Sequence, residues 1–336
     1  MKKNILSLLL ACLLLASTAV GMVACDEAGD PTGTTSETSA PAGENATDEN
    51  GQPVTDGSGD PTQNGDPTAT PGTEQNPIVL TFNGIECSES VAGTLSVDGG
   101  AFVISKGGFY VLTGDLSDGQ IKVAVPKTEE ITMIFKNFTA SSTKSAPIYI
   151  DSCDKATIEL AAGTVNSLTD ASLYQFATPG EDKPNACIYS ADDLTIKGDG
   201  TLNVTGNYNN GIGCKNDLRI KSGTITVTAP NNILKGNDSV SIEGGTVTLS
   251  GGEDAIKSDT TDRTDKGFVL IEGDAKVTID CTDDAIQATQ SITVAAGTSV
   301  TVTAGGNALN CPGIINADEN AMNIISEGAA DETPAQ

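Results

Sequence analysis

The sequence predicts an all-β solenoid, a right-handed parallel β-helix with coils of about 22 residues, on three observations. Apolar residues recur in columns: Ile196, Ile220, Ile242, Ile271 and Val294 step by 24, 22, 29 and 23, and Val204, Val227, Leu249, Ile279 and Val302 by 23, 22, 30 and 23. Each unit holds two or three short apolar-x-apolar runs rich in β-branched residues and bounded by Gly, Asn or Asp, the period-two pattern of brief strands. The units are too short for an intervening helix, and no stretch of the domain repeats at helical spacing.

The elements follow in chain order. Lys2-Lys3, an apolar run from Ile5 through Val20 and the small-residue end Val23-Ala24-Cys25 make residues 1–24 a secretory signal. The last three residues resemble a bacterial lipobox, which implies acylation of Cys25 and a location on the outer face of the plasma membrane, with lipid as the sole membrane contact. Residues 25–76 are rich in Thr, Pro and Gly. From Asp26 to Asn76 they carry 11 acids and no base, so they are expected to stay disordered and extended as a tether. The solenoid is expected over 77–327, beginning with irregular coils between Ile78 and Val165, and residues 328–336 are expected to fray.

Within the solenoid, residues 169–185 interrupt the repeat with Tyr174, Phe176, Pro179 and Pro184 and predict a loop on one face, where solenoids often bind. The long step in the columns contains a second insertion, Thr260 to Lys266. Small residues at Ser190, Cys214, Gly236, Ser258, Ala288 and Cys311 predict a tight interior corner. Cys87, Cys153, Cys187, Cys214, Cys281 and Cys311 match neither zinc spacing nor a disulfide framework, and are expected to be mostly buried thiols.

Composition removes several functions. Without His there is no imidazole catalysis and no His-bound metal, and a net charge of −27 repels nucleic acid. Nothing marks an oligomer interface, so a monomer is expected. The informative positions are polar columns before the first strand of each coil. One contains Asn210, Asn232, Asp254, Asp284 and Asn307, and beside it run Asn209, Asn231, Glu253 and Asp283. Stacking brings Glu253, Asp254, Asp283 and Asp284 together on successive coils, a density of hard oxygen ligands that suits calcium. The same column also reads as an asparagine ladder in which Asp merely tolerates the turn, and both readings are open. Tyr189, Lys235, Lys257, Gln287 and Asn310 are expected to point outward beside these acids. Tyr189, Lys235 and Lys257, with the amides of Asn209 and Asn210, are therefore candidates for contact with an extended anionic polymer.

The segments Pro184 to Ile196, Gly200 to Ile212 and Gly252-Glu253-Asp254-Ala255-Ile256-Lys257-Ser258 resemble a bacterial family of secreted carbohydrate-binding β-helix proteins, over about residues 77–315. The resemblance implies binding of plant cell-wall polysaccharide, cellulose or polygalacturonate, and a fold similar to pectate lyases that use calcium. The chain departs from the pattern where Asp254-Ala255-Ile256 and Asp284-Ala285-Ile286 stand for Asp-Gly-Ile, and where Asn231-Asn232-Ile233-Leu234 carries no acid. The expected function is a cell-surface lipoprotein that binds an acidic polysaccharide and has no catalytic residues. The alternatives are a calcium-dependent lyase with Lys235 or Lys257 as base, and a surface adhesin.

Overall fold

A computed structural model describes residues 70–176, 180 and 183–328. The signal segment, Cys25, the tether as far as residue 69 and the tail from residue 329 lie outside the described residues. The chain winds into a parallel β-helix with three ladders of stacked strands. The first ladder is a ten-stranded sheet that includes Ile148–Ser152, Ala186–Ser190, Asn210–Cys214, Leu234–Gly236, Ile256–Ser258 and Ile286–Ala288. The second runs through Asp193–Gly198, Asp217–Ile220, Ser239–Ile242, Phe268–Ile271 and Ser291–Val294. The third runs through Thr201–Thr205, Thr224–Ala229, Thr246–Gly251, Lys276–Cys281 and Ser299–Ala304.

The apolar columns read from the sequence are the structure's own registers. Ile220 pairs with Ile242 and Ile242 with Ile271, while Val227 pairs with Leu249 and Leu249 with Ile279. Ile220, Ile242, Ile271, Val227 and Leu249 are fully buried, because alternation along each strand sends every second side chain inward. The small-residue column is a tight corner: a Cβ at Gly236 would stand 2.0 Å from the Ser239 carbonyl oxygen. The turn from the second ladder to the third needs glycine for a different reason. Gly245 has φ of 85°, and a Cβ there would meet the Gly223 carbonyl at 2.6 Å.

The amino-terminal end is more regular in purpose than its loose sequence pattern suggests. Two reversed strands, Glu86–Glu89 on Ile78–Gly84 and Leu95–Asp98 on Ala101–Ile104, pair antiparallel and close that end. The long strands Gly108–Leu116 and Ile131–Ser141 pair along their length, and Ile131–Ser141 continues from the second ladder into the third. Ordered backbone contacts begin before Pro77, since Phe109 N donates to the Gly72 carbonyl at 2.9 Å and Thr73 bridges Asn76. The last residues assigned to the tether are thus part of the first coil. At the other end Gly328 still bonds to Gly306.

The insertion from Thr260 to Lys266 is clamped to its neighbours. Lys266 Nζ lies 2.7 Å from Asp217 Oδ2 and 3.8 Å from Asp238 Oδ2, and Arg263 Nη1 lies 3.0 Å from Asp238. Cys153, Cys187, Cys214 and Cys281 are buried free thiols, and Cys87 and Cys311 are half-buried. Burial pushes the Cys153 thiol up to about 12 and the Cys281 thiol to about 11, so neither supplies a thiolate. Two substitutions on one strand test the packing. Leu249→Ala is expected to cost about 2–5 kcal/mol in urea unfolding, whereas Thr248→Ala, on the outer side of the same strand, is expected to change stability by less than about 0.5 kcal/mol.

Candidate functional site

The turn that enters each strand of the first sheet carries the polar column, and backbone bonds between coils fix its register. Gly211 N donates to the Asn232 carbonyl, Ile233 N to that of Asp254, and Ala255 N to that of Asp284. Asn210 Oδ1 accepts from both the backbone and the side-chain nitrogen of Asn232, at 3.2 and 2.9 Å. Asp284 Oδ1 accepts from Asn307 in the same two ways, each at 2.9 Å. The asparagine-ladder geometry is therefore present, and Asp284 occupies an acceptor's place in it.

Asp254 breaks the pattern. An asparagine there could pass an N–H down to Asn232 as Asn232 does to Asn210, but a carboxylate has no such donor. Asn232 is 5% exposed, and its Oδ1 is the buried side-chain polar atom among the described residues that has no hydrogen-bond partner. An unsatisfied oxygen of this kind costs on the order of 1–3 kcal/mol unless something supplies positive charge. On the other side, Asp254 Oδ1 accepts only a 3.3 Å bond from Asp284 N, while Lys257 Nζ holds its Oδ2 at 2.7 Å.

Asp254, Asp283 and Asp284 place one carboxylate oxygen each within 4.8 Å of the others. Glu253, expected as the fourth member, is exposed and stands outside that group, although its charge still acts on Asp283. The three acids are held in different states. Partial burial and then the charges of Asp284, Asp254 and Glu253 raise the Asp283 carboxyl above its ordinary range. Burial also works against Asp284, but hydrogen bonds from Asn310, Asn307 and Gln287 outweigh it and hold that carboxyl below the range. The donor set is therefore three carboxylate oxygens, and Asn232, with its unpartnered Oδ1, precedes Asp254 by one coil in the same column. Such a set fits a hard divalent cation that takes oxygen ligands. Ala255 and Ala285 leave it intact: both are fully buried, and Asn137 is the non-glycine residue with positive φ among the described residues, so neither turn requires glycine.

The residues expected to touch sugar divide. Lys235 and Lys257 pair in register on the outer side of the first sheet, Lys235 reaching Asp259 Oδ2 at 2.7 Å. Tyr189 occupies the same outward row but is 4% exposed, packed against Tyr149 with ring centroids 5.9 Å apart and with Lys183 over its face. The expectation that Tyr189 offers a sugar platform is corrected: alternation gave its direction, and the neighbouring side chains cover it. Asn210 is also buried, at 2%, with its amide spent in the ladder, so it too is withdrawn from solvent. Asn209 is half-buried, and its Oδ1 accepts from Asn231 at 2.6 Å.

The loop after Thr169 is rooted by Asp170, which accepts from the Tyr174 hydroxyl at 2.6 Å, and by Tyr174 stacked on Tyr208 with centroids 4.2 Å apart. Sequence reasoning placed this insertion but missed what it builds. Phe176 and Lys183, both within it, wall a cavity with Gln120, Lys122, Lys144 and Tyr149. Scattered bases from three separate coils gave no local motif.

The chain is thus a three-ladder parallel β-helix with an acidic cluster beside an outward row of polar side chains. The chain belongs to the carbohydrate-binding domain family, whose profile matches residues 98–332. A carbohydrate-binding domain-containing protein of Acetivibrio thermocellus is 43% identical over 248 residues, covering 74% of this chain and 86% of that protein. The solved structure of the polysaccharide lyase-like protein from C. thermocellum, as a gadolinium derivative, superposes with a TM-score of 0.71 at 42% identity, covering 74% of this chain and 99% of that one.

The carboxyl states carry a pH prediction. For Asp284 the folded state binds its proton less tightly than the unfolded chain, so its contribution to stability is present above the usual carboxylate range and is lost as pH falls through the lower folded value. Asp283 has the opposite sign: its ionised form opposes folding at neutral pH, and that opposition disappears as pH falls through its raised value. Scanning calorimetry in EDTA should therefore show Asp283→Asn melting higher at pH 7 by about one or two degrees. The gain should vanish as pH falls through the raised Asp283 value and the ordinary carboxylate range below it, where the carboxyl is protonated in folded and unfolded chain alike, and shrink in high salt.

Proposed function

We propose that this protein is a non-catalytic, cell-surface binder of an acidic plant cell-wall polysaccharide of the polygalacturonate type, assisted by calcium. The observation that carries the reading is the triad Asp254, Asp283 and Asp284 beside the orphaned Asn232 Oδ1, in a chain of the carbohydrate-binding domain family. Those residues would hold the cation, which when bound supplies positive charge to a uronate carboxylate. A chain with net charge −27 needs such a bridge to approach an acidic polymer. Calcium is the choice because carboxylate and amide oxygens are its ligands, and a relative obtained as a gadolinium derivative supports a hard-cation site. Lys257, Lys235 and the half-buried Asn209 would complete the polar surface. The absence of Trp, with aromatics at 4%, weighs against a flat crystalline cellulose face.

The fold's likeness to polysaccharide lyases raises the question of catalysis. A lysine that abstracts a proton must first be a neutral amine. Lys257 and Lys235 each sit 2.7 Å from a carboxylate, and deprotonating either would cost its ion pair. Each lysine is thus engaged by an acid, Asp254 or Asp259, and binding without cleavage is the reading we adopt. Acylation at Cys25 and the acidic tether would display the domain, as a monomer, away from the membrane surface.

Titration of the full chain with polygalacturonate is expected to show binding in calcium, loss of it in EDTA, and no rise in absorbance from unsaturated product. A rising absorbance would make the protein a lyase. Lys235→Ala with Lys257→Ala should weaken the calcium-dependent binding about tenfold or more, each half-buried charge contact contributing on the order of 1 kcal/mol. In cells, Cys25→Ser should move the protein from the membrane fraction into the medium.

A further inference from the structure

We propose a second carbohydrate site, specific for a uronate-bearing oligosaccharide and independent of any cation, in the cavity of about 490 Å³ walled by Gln120, Lys122, Lys144, Tyr149, Phe176 and Lys183. The inference rests on the carbohydrate-binding reading but not on the acidic triad. Its position comes from register. The outward row of the first sheet runs Lys122, Tyr149, Tyr189, Gly213, Lys235, Lys257, so the cavity and the triad's Lys257 belong to one line. Tyr149 and Lys257 are four strands apart on it, roughly 19 Å at the usual strand spacing.

The cavity's chemistry differs from that of the surrounding surface. Three lysines there are met by Asp98 and Asp118 on the lining and by Asp151, whose Oδ2 lies 3.0 Å from Lys122 Nζ, so bases and acids balance at the cavity in a strongly acidic chain. Asp118 is engaged by Thr143, whose backbone nitrogen and hydroxyl donate to its Oδ1 at 2.8 and 3.0 Å. Lys144 is exposed, and its Nζ has no ion-pair partner among the described residues. It is therefore a cation available to a ligand carboxylate with no internal bond to break.

The remaining groups fit a sugar ring. Phe176 is half-buried and Tyr149 is held in place by its hydroxyl bond to Asp151 Oδ1 at 2.7 Å, with Lys122 Nζ over its ring at 5.2 Å. Both rings line the cavity and give it an apolar wall against which the C–H groups of a pyranose would pack. Gln120 Nε2 donates to Ser145 Oγ and the Ala146 carbonyl, at 3.2 and 2.9 Å, which fixes the amide and leaves its Oε1 to accept a sugar hydroxyl. The walls are preorganised as well. Ser142 Oγ accepts from Ser145 N at 3.1 Å, and Gln175 N donates to the Lys144 carbonyl at 2.8 Å, tying the insertion to the turn beneath it.

Calorimetric titration of the full chain with trigalacturonate in EDTA tests the proposal. Binding is expected, with affinity falling at least tenfold in Lys144→Glu and equally when the trisaccharide is methyl-esterified. Asp254→Asn with Asp284→Asn, which restores asparagine to the ladder, should leave it unchanged. Unaltered melting of Lys144→Glu would show that the effect is local. Binding in EDTA that Lys144→Glu does not weaken would overturn the assignment to this cavity. No binding of trigalacturonate in EDTA, with polygalacturonate still bound in calcium, would overturn this site and leave the cation-assisted reading standing. No binding of either sugar under either condition would overturn both.

Discussion

In-register stacking of like upon like governs this molecule. Each residue of a coil sits over its counterpart one turn earlier, so a side chain is tolerated only if it can neighbour a copy of itself. Isoleucine, valine and leucine meet that condition inside, where Ile220, Ile242 and Ile271 form one continuous fully buried column. Asparagine meets it in the turns, because an amide is donor on one side and acceptor on the other. Carboxylates do not, since they accept in both directions and repel as well. Asp254 and Asp284 on adjacent coils therefore mark a place where stacking is served imperfectly, and the unpartnered Asn232 oxygen is the trace it leaves.

The same rule explains what was legible in the sequence. A register repeated at about 22 residues wrote the interior columns directly into the chain, and the acids of the polar column came with them. The insertion at Thr260 to Lys266 was equally visible as the one long step. The amino-terminal closure was not, because antiparallel strands such as Glu86–Glu89 and Leu95–Asp98 occur once and have no copy to reveal them. Tyr189 and Asn210 show a second limit. Alternation states which way a side chain points, but its exposure depends on what another segment lays over it, and the insertion preceding Tyr189 was the available signal.

Function follows the same division between repeated and unrepeated parts. The repeated turns deliver the acidic triad, a set of hard oxygen donors whose unequal proton affinities reflect unequal numbers of hydrogen bonds. The unrepeated insertion, rooted by Asp170, Tyr174 and Tyr208, assembles lysines and rings from several coils into a cavity. Lys122 and Tyr149 of the cavity and Lys257 beside the triad share one outward row of one sheet, so under the proposed reading an extended polymer laid parallel to the solenoid axis would meet both places in succession, and two weak contacts on one polymer would reinforce each other.

The clamp of Lys266 and Arg263 on Asp217 and Asp238 has a broader meaning. The coil that carries it is longer than its neighbours, yet Ile242 still meets Ile271 and Leu249 still meets Ile279 without a slip. A corner of this solenoid thus behaves as a socket: extra chain can be plugged in there and fastened to the rim while the shaft on either side keeps its alignment. New surface features can be acquired or discarded at such sockets independently of one another, and the two insertions of this chain are two separate uses of that freedom.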